Sequence, residues 1–294
     1  MTAKIIDGNK IAQQIRGEVA GEVAALKAKG IEPGLVVVLV GEDPASVVYV
    51  RNKEKACQEV GIKTTTTRLP ATASEAEVLQ IVKKLNEDPH VHGILVQLPL
   101  PKQVDENKVL NAISPRKDVD GFHPVNVGKL LVGEADFMPC TPAGIQQLLI
   151  RSGNDPNGRH VVVCGRSNIV GKPVAAILVQ KQPGANATVT ICHTGTKDMA
   201  AITRLADILV VASGRPNTVT AEMVKPGVVV IDVGVNRIED ASKKSGFRLV
   251  GDVDFEGVSQ KASYITPVPG GVGPMTIAML LANTVKAARL AAEK

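Results

Sequence analysis

The amino-acid sequence predicts an α/β fold in two domains, on three observations. Short aliphatic runs rich in β-branched residues have the unbroken apolar character of strands buried on both faces; they are GLVVVLVG (34–41), GILVQ (93–97), HVVVCG (160–165), DILVVAS (207–213) and GVVVIDVG (227–234). Stretches of helical period separate them, and such alternation implies parallel strands joined by crossover helices. The chain has 294 residues, enough for two domains at roughly 100–200 residues each.

Along the chain, residues 9–29 form the first expected helix, amphipathic, with Asn9 as its N-cap and Gly30 as its stop. The 34–41 strand follows, then a helix over 46–60 ending at Gly61, and a second strand, IKTTTTRL (62–69). Ser74 and Glu77 stand at capping-box spacing ahead of a helix that reaches about Asn86. GILVQ is the third strand. Residues 98–141 are rich in Pro, Gly and Asp without a strong period and form the expected interdomain segment. TPAGIQQLLIRSG (141–153) reads as a helix. Beyond it HVVVCG, ATVTIC (187–192), DILVVAS and GVVVIDVG alternate with helical stretches as a second α/β unit. A last helix is expected from near Met275 to about Glu293, packed back on the first domain. The expected domains are 1–140, completed by 275–294, and 141–274.

Composition narrows the function classes. At 44% hydrophobic and 21% charged, this is an ordinary globular sequence. Its 34 basic and 29 acidic residues give a net charge of +5, a mild bias that no block of like charges concentrates. With two Tyr, four Phe and no Trp, stacking platforms for nucleic acid are scarce. A non-enzymatic nucleic-acid binder is therefore the weaker reading, and no nucleic-acid partner is expected. The four cysteines, Cys57, Cys140, Cys164 and Cys192, form no C-x-x-C pair, and no metal site is expected. Cys164 and Cys192 end apolar runs, where a thiol behaves as a small hydrophobe. MTAKIIDGNK lacks an apolar signal region, and no run approaches the roughly 20 residues that cross a bilayer. The expected location is a reducing cytoplasm, without a membrane partner.

HVVVCGRSNIVGKP (160–173) joins a strand, a Gly-led turn and a helix start. In that context N–H groups at the helix N-terminus face a pyrophosphate. The spacing departs from G-x-G-x-x-G: Ser167 takes the middle glycine's place and Gly171 comes one residue late. Taken alone, it is equally a turn that packs helix on sheet. With the strands that follow, it makes 141–274 a dinucleotide-binding domain, so the expected fold is two α/β domains flanking a cleft, the second Rossmann-like. An NAD site usually has Asp or Glu at the end of the next strand, bonded to the ribose 2′-OH. Here ATVTIC runs into His193-Thr194-Gly195-Thr196 with no carboxylate, while Arg166 and Lys197 bring positive charge. The expected cofactor is NADP, whose 2′-phosphate would meet those cations and hydroxyls.

Tyr49 and Lys53 lie four residues apart and share a face if 46–60 is helical. That helix follows the carboxyl end of a buried strand, where open α/β sheets hold ligands. A lysine transfers protons where desolvation or a nearby cation favours its neutral form; the alternative is an exposed helix lysine. In short-chain dehydrogenases the Y-x-x-x-K spacing follows the Gly-rich turn, whereas here it precedes the turn, so that reading fails on order. Gln97 ends the third strand, where an amide is costly without a partner. It is either a satisfied core amide or a group aimed into a cleft. Asp118 and Asp120 in KDVDG (117–121) are acids in a Gly-containing turn, and such acids usually form the turn. PVPGGVGPMT (267–276) holds three prolines and three glycines, a backbone that either presents N–H groups to a ligand or simply makes a rigid turn.

Six segments together resemble the methylenetetrahydrofolate dehydrogenase/cyclohydrolase family, in order and over nearly the whole chain. They are YVRNKEKACQEVGI (49–62), GILVQLPLP (93–101), KDVDGFHPVNVGKL (117–130), PCTPAGI (139–145), GRSNIVGKP (165–173) and PVPGGVGPMT (267–276). The resemblance implies oxidation of 5,10-methylenetetrahydrofolate by NADP+ and hydrolysis of the methenyl product to 10-formyltetrahydrofolate, in one cleft. It makes Lys53 the acid/base group, with Tyr49 positioning folate, Gln97 bonding Lys53, and Asp120 binding the pterin ring. It assigns the cofactor to Gly165, Arg166, Ser167, Thr194 (Ser in some relatives) and Val235. Folate contacts fall to Tyr49, Lys53, Val96, Gln97, Leu98, Asp120, Pro269, Gly270, Gly271, Val272, Gly273 and Thr276. It also implies a homodimer. A different two-domain dehydrogenase, acting on a shikimate-like or amino-acid substrate, would share the second domain but not the roles of Tyr49, Lys53, Gln97 and Asp120.

Overall fold

The computed structural model describes residues 2–243 and 246–293. In chain order its elements are β1 (Lys4–Ile5), α1 (Gly8–Lys27), β2 (Gly34–Val40), α2 (Pro44–Val60), β3 (Lys63–Leu69), α3 (Glu75–Glu87), β4 (Gly93–Val96), α4 (Glu106–Ala112), α5 (Pro124–Val132) and α6 (Cys140–Arg151). There follow β5 (His160–Cys164), α7 (Gly171–Leu178), β6 (Thr188–Cys192), α8 (Met199–Thr203), β7 (Ile208–Val211), β8 (Val229–Asp232), β9 (Asn236–Glu239), β10 (Phe247–Val250), α9 (Phe255–Ser259), β11 (Tyr264–Ile265) and α10 (Val272–Ala292). The chain forms two compact units. One holds the residues up to Ala12 and Thr141–Thr276; the other holds Gln13–Cys140 and the segment from Ile277 onward. Among the described residues no helix is long and apolar enough to cross a membrane.

In the Gln13–Cys140 unit, β3, β2 and β4 form a parallel sheet with β2 in the centre. Every residue of β2 is buried, as its unbroken aliphatic run requires. α2 starts where the Asp43 carboxylate accepts the Ser46 N–H (2.8 Å) with Pro44 in the first turn, and it ends at Gly61, whose φ is 82°. Ser74 and Glu77 complete both bonds of the capping box at α3. The 98–141 segment departs from expectation, because it contains α4 and α5. These helices have only seven and nine residues, too few to establish a hydrophobic period. Their caps, Asp105 and His123, carry the helix-start signal instead.

In the other unit, β1-β11-β8-β7-β5-β6 form one sheet with all neighbours parallel. Its core is Val161–Val163, Ile208–Val211 and Val228–Ile231, all essentially inaccessible to solvent. The first residues belong here because β1 pairs with β11, matching Lys4 with Tyr264 and Ile5 with Ile265. The helix after β1 starts at Gly8, where Asp7 Oδ1 accepts the Lys10 N–H (3.0 Å); Asp7 thus takes the capping role expected of Asn9. β9 and β10 make a separate antiparallel hairpin that the pattern of buried strands did not foretell. Arg237 stacks over the Phe247 ring there, at 3.6 Å from its centroid.

Two buried acids order the loops at the carboxyl ends of β7 and β8. Asp232 Oδ1 accepts N–H bonds from Gly234 (3.0 Å) and Asp252 (2.9 Å), and Oδ2 accepts one from Val253 (3.0 Å). Asp252 Oδ2 takes the N–H groups of Ser213 (2.6 Å) and Gly214 (2.8 Å), and its Oδ1 takes the Asn236 amide (2.8 Å). The approach is so close that the adjoining glycines cannot be replaced. A Cβ on Gly251 would lie 1.8 Å from Asp232 Oδ2, and one on Gly234 would lie 2.1 Å from Asp252 Oδ1. Gly251→Ala is therefore expected to destabilise the protein by about 2–3 kcal/mol, through overpacking and displaced hydrogen bonds. A lower urea midpoint at unchanged m-value would register this; an unchanged midpoint would contradict the packing.

Candidate active site

The catalytic candidates of the Gln13–Cys140 unit converge. Lys53 is only 9% exposed, so it is not a solvent-facing helix lysine, and its Nζ donates to Gln97 Oε1 at 3.0 Å. Gln97 follows β4, and its N–H still bonds Val38 O at 2.9 Å, which holds its backbone in the sheet. Its amide Nε2 donates to Leu98 O (2.7 Å), so Oε1 is the end turned to the lysine. Tyr49 lies one helical turn before Lys53 and is 45% exposed, leaving the phenol open to a ligand. Val96 is buried in the hydrophobic cluster beside the sheet, so only its backbone could meet a substrate. Leu98 is half-buried, in a cis peptide with Pro99.

The two acids of KDVDG separate in role. Asp118 is the turn former: it is buried, and its carboxylate accepts the N–H groups of Gly121 (3.2 Å), Phe122 (3.3 Å) and His123 (2.8 Å), and the Asn126 amide (2.8 Å). Asp120 is left over from that turn. Burial pushes its carboxyl above the usual range, opposed by the positive charge of Lys53 and by a hydrogen bond from the Cys140 thiol; the charge of Asp118 adds to the rise. A buried amine, a neutral amide and a reluctant carboxyl thus share one neighbourhood.

The turn at 165–171 is built by close backbone approach. Gly165 has φ 132°, and a Cβ there would lie 2.2 Å from Ala212 O. A Cβ on Gly171 would lie 2.2 Å from Gly165 O, so Gly171 provides the tight helix–strand packing of a dinucleotide turn despite its late position. Ser167 Oγ accepts the Val170 (3.1 Å) and Gly171 (3.3 Å) N–H groups at the start of α7, which leaves its own O–H free to donate. Arg166 reaches His193, with Nη1 and Nε2 3.4 Å apart. The other His193 nitrogen, Nδ1, accepts the Gly195 N–H at 3.0 Å, so Nε2 is the one that carries a proton. Arg166 and His193 thus bring two nitrogens side by side next to the turn. Thr194 is exposed beside this pair, and Val235, half exposed, follows the Gly234 held by Asp232.

The 267–276 stretch combines a cis Val268–Pro269 bond with Gly270 at φ 105°. A Cβ on Gly8 would sit 1.8 Å from Gly271 O, so the N-terminal segment packs backbone to backbone against this loop. α10 begins at Val272, earlier than expected, which places Gly273 and Thr276 in its opening turns. Pro269 and Gly273 are exposed, Gly271 and Val272 are buried, and the Thr276 hydroxyl is 2.8 Å from that of Thr141.

Residues 6–120 match the catalytic-domain model of tetrahydrofolate dehydrogenase/cyclohydrolase, and residues 139–292 match the NAD(P)-binding-domain model of the same enzymes. The chain belongs to the tetrahydrofolate dehydrogenase/cyclohydrolase family. The bifunctional protein FolD of Syntrophus aciditrophicus is 61% identical over 292 residues, 99% of each chain. The FolD methylenetetrahydrofolate dehydrogenase/cyclohydrolase of Campylobacter jejuni is 50% identical with a TM-score of 0.92, covering 98% of this chain and 99% of its own. That of Trypanosoma brucei, solved with NADP cofactor and inhibitor, is 42% identical with a TM-score of 0.94 over the full length of both chains. This chain is thus an enzyme, and it carries both family domains.

Several groups that shape these loops, in one unit or the other, are not legible in the sequence. Asp232 and Asp252 are detectable as acids beside glycine, the former closing an aliphatic strand, but their pairing with distant backbone is not. His193 was read only as part of a strand end. Cys140 and Asn283, which flank Asp120, stood inside a proline-rich motif and an apolar helix. Burial pushes Asp232 up to about 6, against the N–H bonds that pull it down. A carboxyl raised in the folded state contributes most to stability below its unfolded value, and that contribution is lost as pH rises through 6. A carbon-13 NMR titration of the Asp232 carboxyl is expected to have its midpoint near pH 6; a midpoint below the ordinary value of about 3.9 would contradict this.

Proposed function

We propose that this enzyme oxidises 5,10-methylenetetrahydrofolate with NADP+ and hydrolyses the methenyl product to 10-formyltetrahydrofolate, with Lys53 as the acid/base group. One observation carries the reading: a buried amine bonded to a neutral amide, Lys53 to Gln97, with the Asp120 carboxyl beside them. In the hydrolytic step water adds to the methenyl carbon and loses a proton. Lys53 takes that proton and assists transfer of the hydroxyl proton to N5 as the carbon–N5 bond breaks. Gln97 keeps the amine aimed, Tyr49 orients the folate and Asp120 bonds the pterin. Val96 and Leu98 offer backbone groups beside Gln97; Pro269, Gly270, Gly271, Val272, Gly273 and Thr276 supply further folate contacts.

The nucleotide turn fits NADP. Gly165 and Gly171 let the turn close tightly on neighbouring backbone, and the neighbouring nitrogens of Arg166 and His193 suit a 2′-phosphate oxygen. Ser167, Thr194 and Val235 complete that lining. When bound, NADP+ accepts the hydride, and the protein's contribution is to hold the two reactants in line. The reading includes a cytoplasmic homodimer, which sedimentation at twice the chain mass would register.

The test is one spectrophotometric assay, with methylenetetrahydrofolate and either NADP+ or NAD+, following reduced cofactor and the methenyl chromophore separately. Failure to reduce either cofactor would end the proposal. Lys53→Met is expected to abolish cyclohydrolase activity and to impair the dehydrogenase less; full hydrolysis of methenyltetrahydrofolate by this variant would remove Lys53 from the mechanism. Arg166→Ala is expected to raise the KM for NADP+ about 10- to 100-fold, the worth of a charge-assisted hydrogen bond, with a smaller effect on NAD+. Equal effects on both cofactors would contradict the 2′-phosphate assignment.

A further inference from the structure

Asn283 lies midway along α10, on a helix whose buried positions nearby are Leu280, Leu281, Val285 and Ala288. A buried amide on such a face is costly unless it is paired. Its neighbour Thr284 is satisfied within the helix, bonding Leu280 O at 2.8 Å. Asn283 instead reaches out of the helix: Nδ2 donates to Val119 O (2.8 Å) and Met138 O (2.9 Å) and lies 3.7 Å from Cys140 Sγ.

All three acceptors border Asp120. Val119 precedes it. Met138 and Cys140 flank Pro139, and a Cβ on Gly121 would lie 2.7 Å from Pro139 N and 2.9 Å from Met138 C. The two backbone segments are thus pressed together, and the carboxamide joins their carbonyls. The Cys140 thiol has one hydrogen and two acceptors in reach, Val119 O at 3.3 Å and the Asp120 carboxyl. Both Asn283 N–H groups are taken up by the Val119 and Met138 carbonyls, so the carboxamide fixes the backbone on both sides of this neighbourhood.

We propose that Asn283 is a positioning residue for folate binding: its carboxamide holds the 119–121 turn, and with it Asp120, against 138–140. The inference rests on the reading of Asp120 as the pterin-binding group, and the test separates the two.

Asn283→Asp replaces a donor by a carboxylate that only accepts, facing two carbonyls. Its KM for methylenetetrahydrofolate is expected to rise about ten-fold at alkaline pH and to fall back as the introduced acid is protonated and regains one donor. Asn283→Leu, which never donates, is expected to show the rise at every pH. Asn283→Ser, milder and still able to donate, is expected to fall between them, and it decides the matter if the other two do not fold. In each case the KM for NADP+ is expected to stay within about two-fold, since the amide serves only one substrate. Folded variants with the parent folate KM and pH profile, or with both KM values rising together, would leave Asn283 a purely structural amide and overturn the inference. Asp120→Asn is assayed in parallel. If it raises the folate KM while the Asn283 variants do not, the inference alone fails; if it leaves folate turnover intact, the reading of Asp120 fails and takes the inference with it.

Discussion

A parallel sheet buried on both faces ends in loops whose N–H groups have no ladder partner, and every such group taken from water needs an acceptor. In this protein buried aspartates supply the acceptors. Asp118 gathers three backbone N–H groups into the turn that leaves Asp120 free for other work. Asp232 and Asp252 do the same at the ends of β8 and β7, Asp232 serving backbone at 234 and at 252–253, and Asp252 the 213–214 backbone and the Asn236 amide. The glycines at 234 and 251 follow from this arrangement, because a carboxylate bonded to backbone on several sides leaves no room for a Cβ. The loops at these strand ends are therefore shaped by acids whose oxygens are taken up by the protein itself.

Against that background Lys53 is unusual in having a neutral partner. A buried amine beside a carboxylate at bonding distance would be held as the ammonium. Gln97 gives the amine a direction without a charge, and the Leu98 carbonyl in turn fixes which end of the amide faces it. Asp120 supplies a carboxyl that burial keeps above the usual range.

Legibility in the sequence followed length and locality. The aliphatic strands β2, β4, β5, β7 and β8 announce themselves by composition, and the Ser74 capping box by spacing, since both signals are local. α4 and α5 went unread because seven or nine residues do not make a period, although Asp105 and His123 stood at their starts. β1 and β11 are two residues each, and only their pairing defines them. Tyr49 and Lys53 could be placed on one helix face from spacing, yet the burial of the lysine and its bond to Gln97 depend on residues 44 apart in sequence. Asp118 and Asp120 look alike in KDVDG; only the partners of each side chain distinguish the acid that builds the turn from the one near Lys53. Asn283 was invisible for the same reason.

The order of strands in the larger sheet also bears on synthesis. β1 leaves the ribosome long before its partner and can pair only once β11 has followed. The Gln13–Cys140 unit waits likewise for the residues from Ile277 onward. Neither unit can finish before these later segments have left the exit tunnel, so the nascent chain carries an unclosed sheet edge until β11 emerges. β1 is only two residues long, which keeps that exposed edge too short to template pairing with another chain.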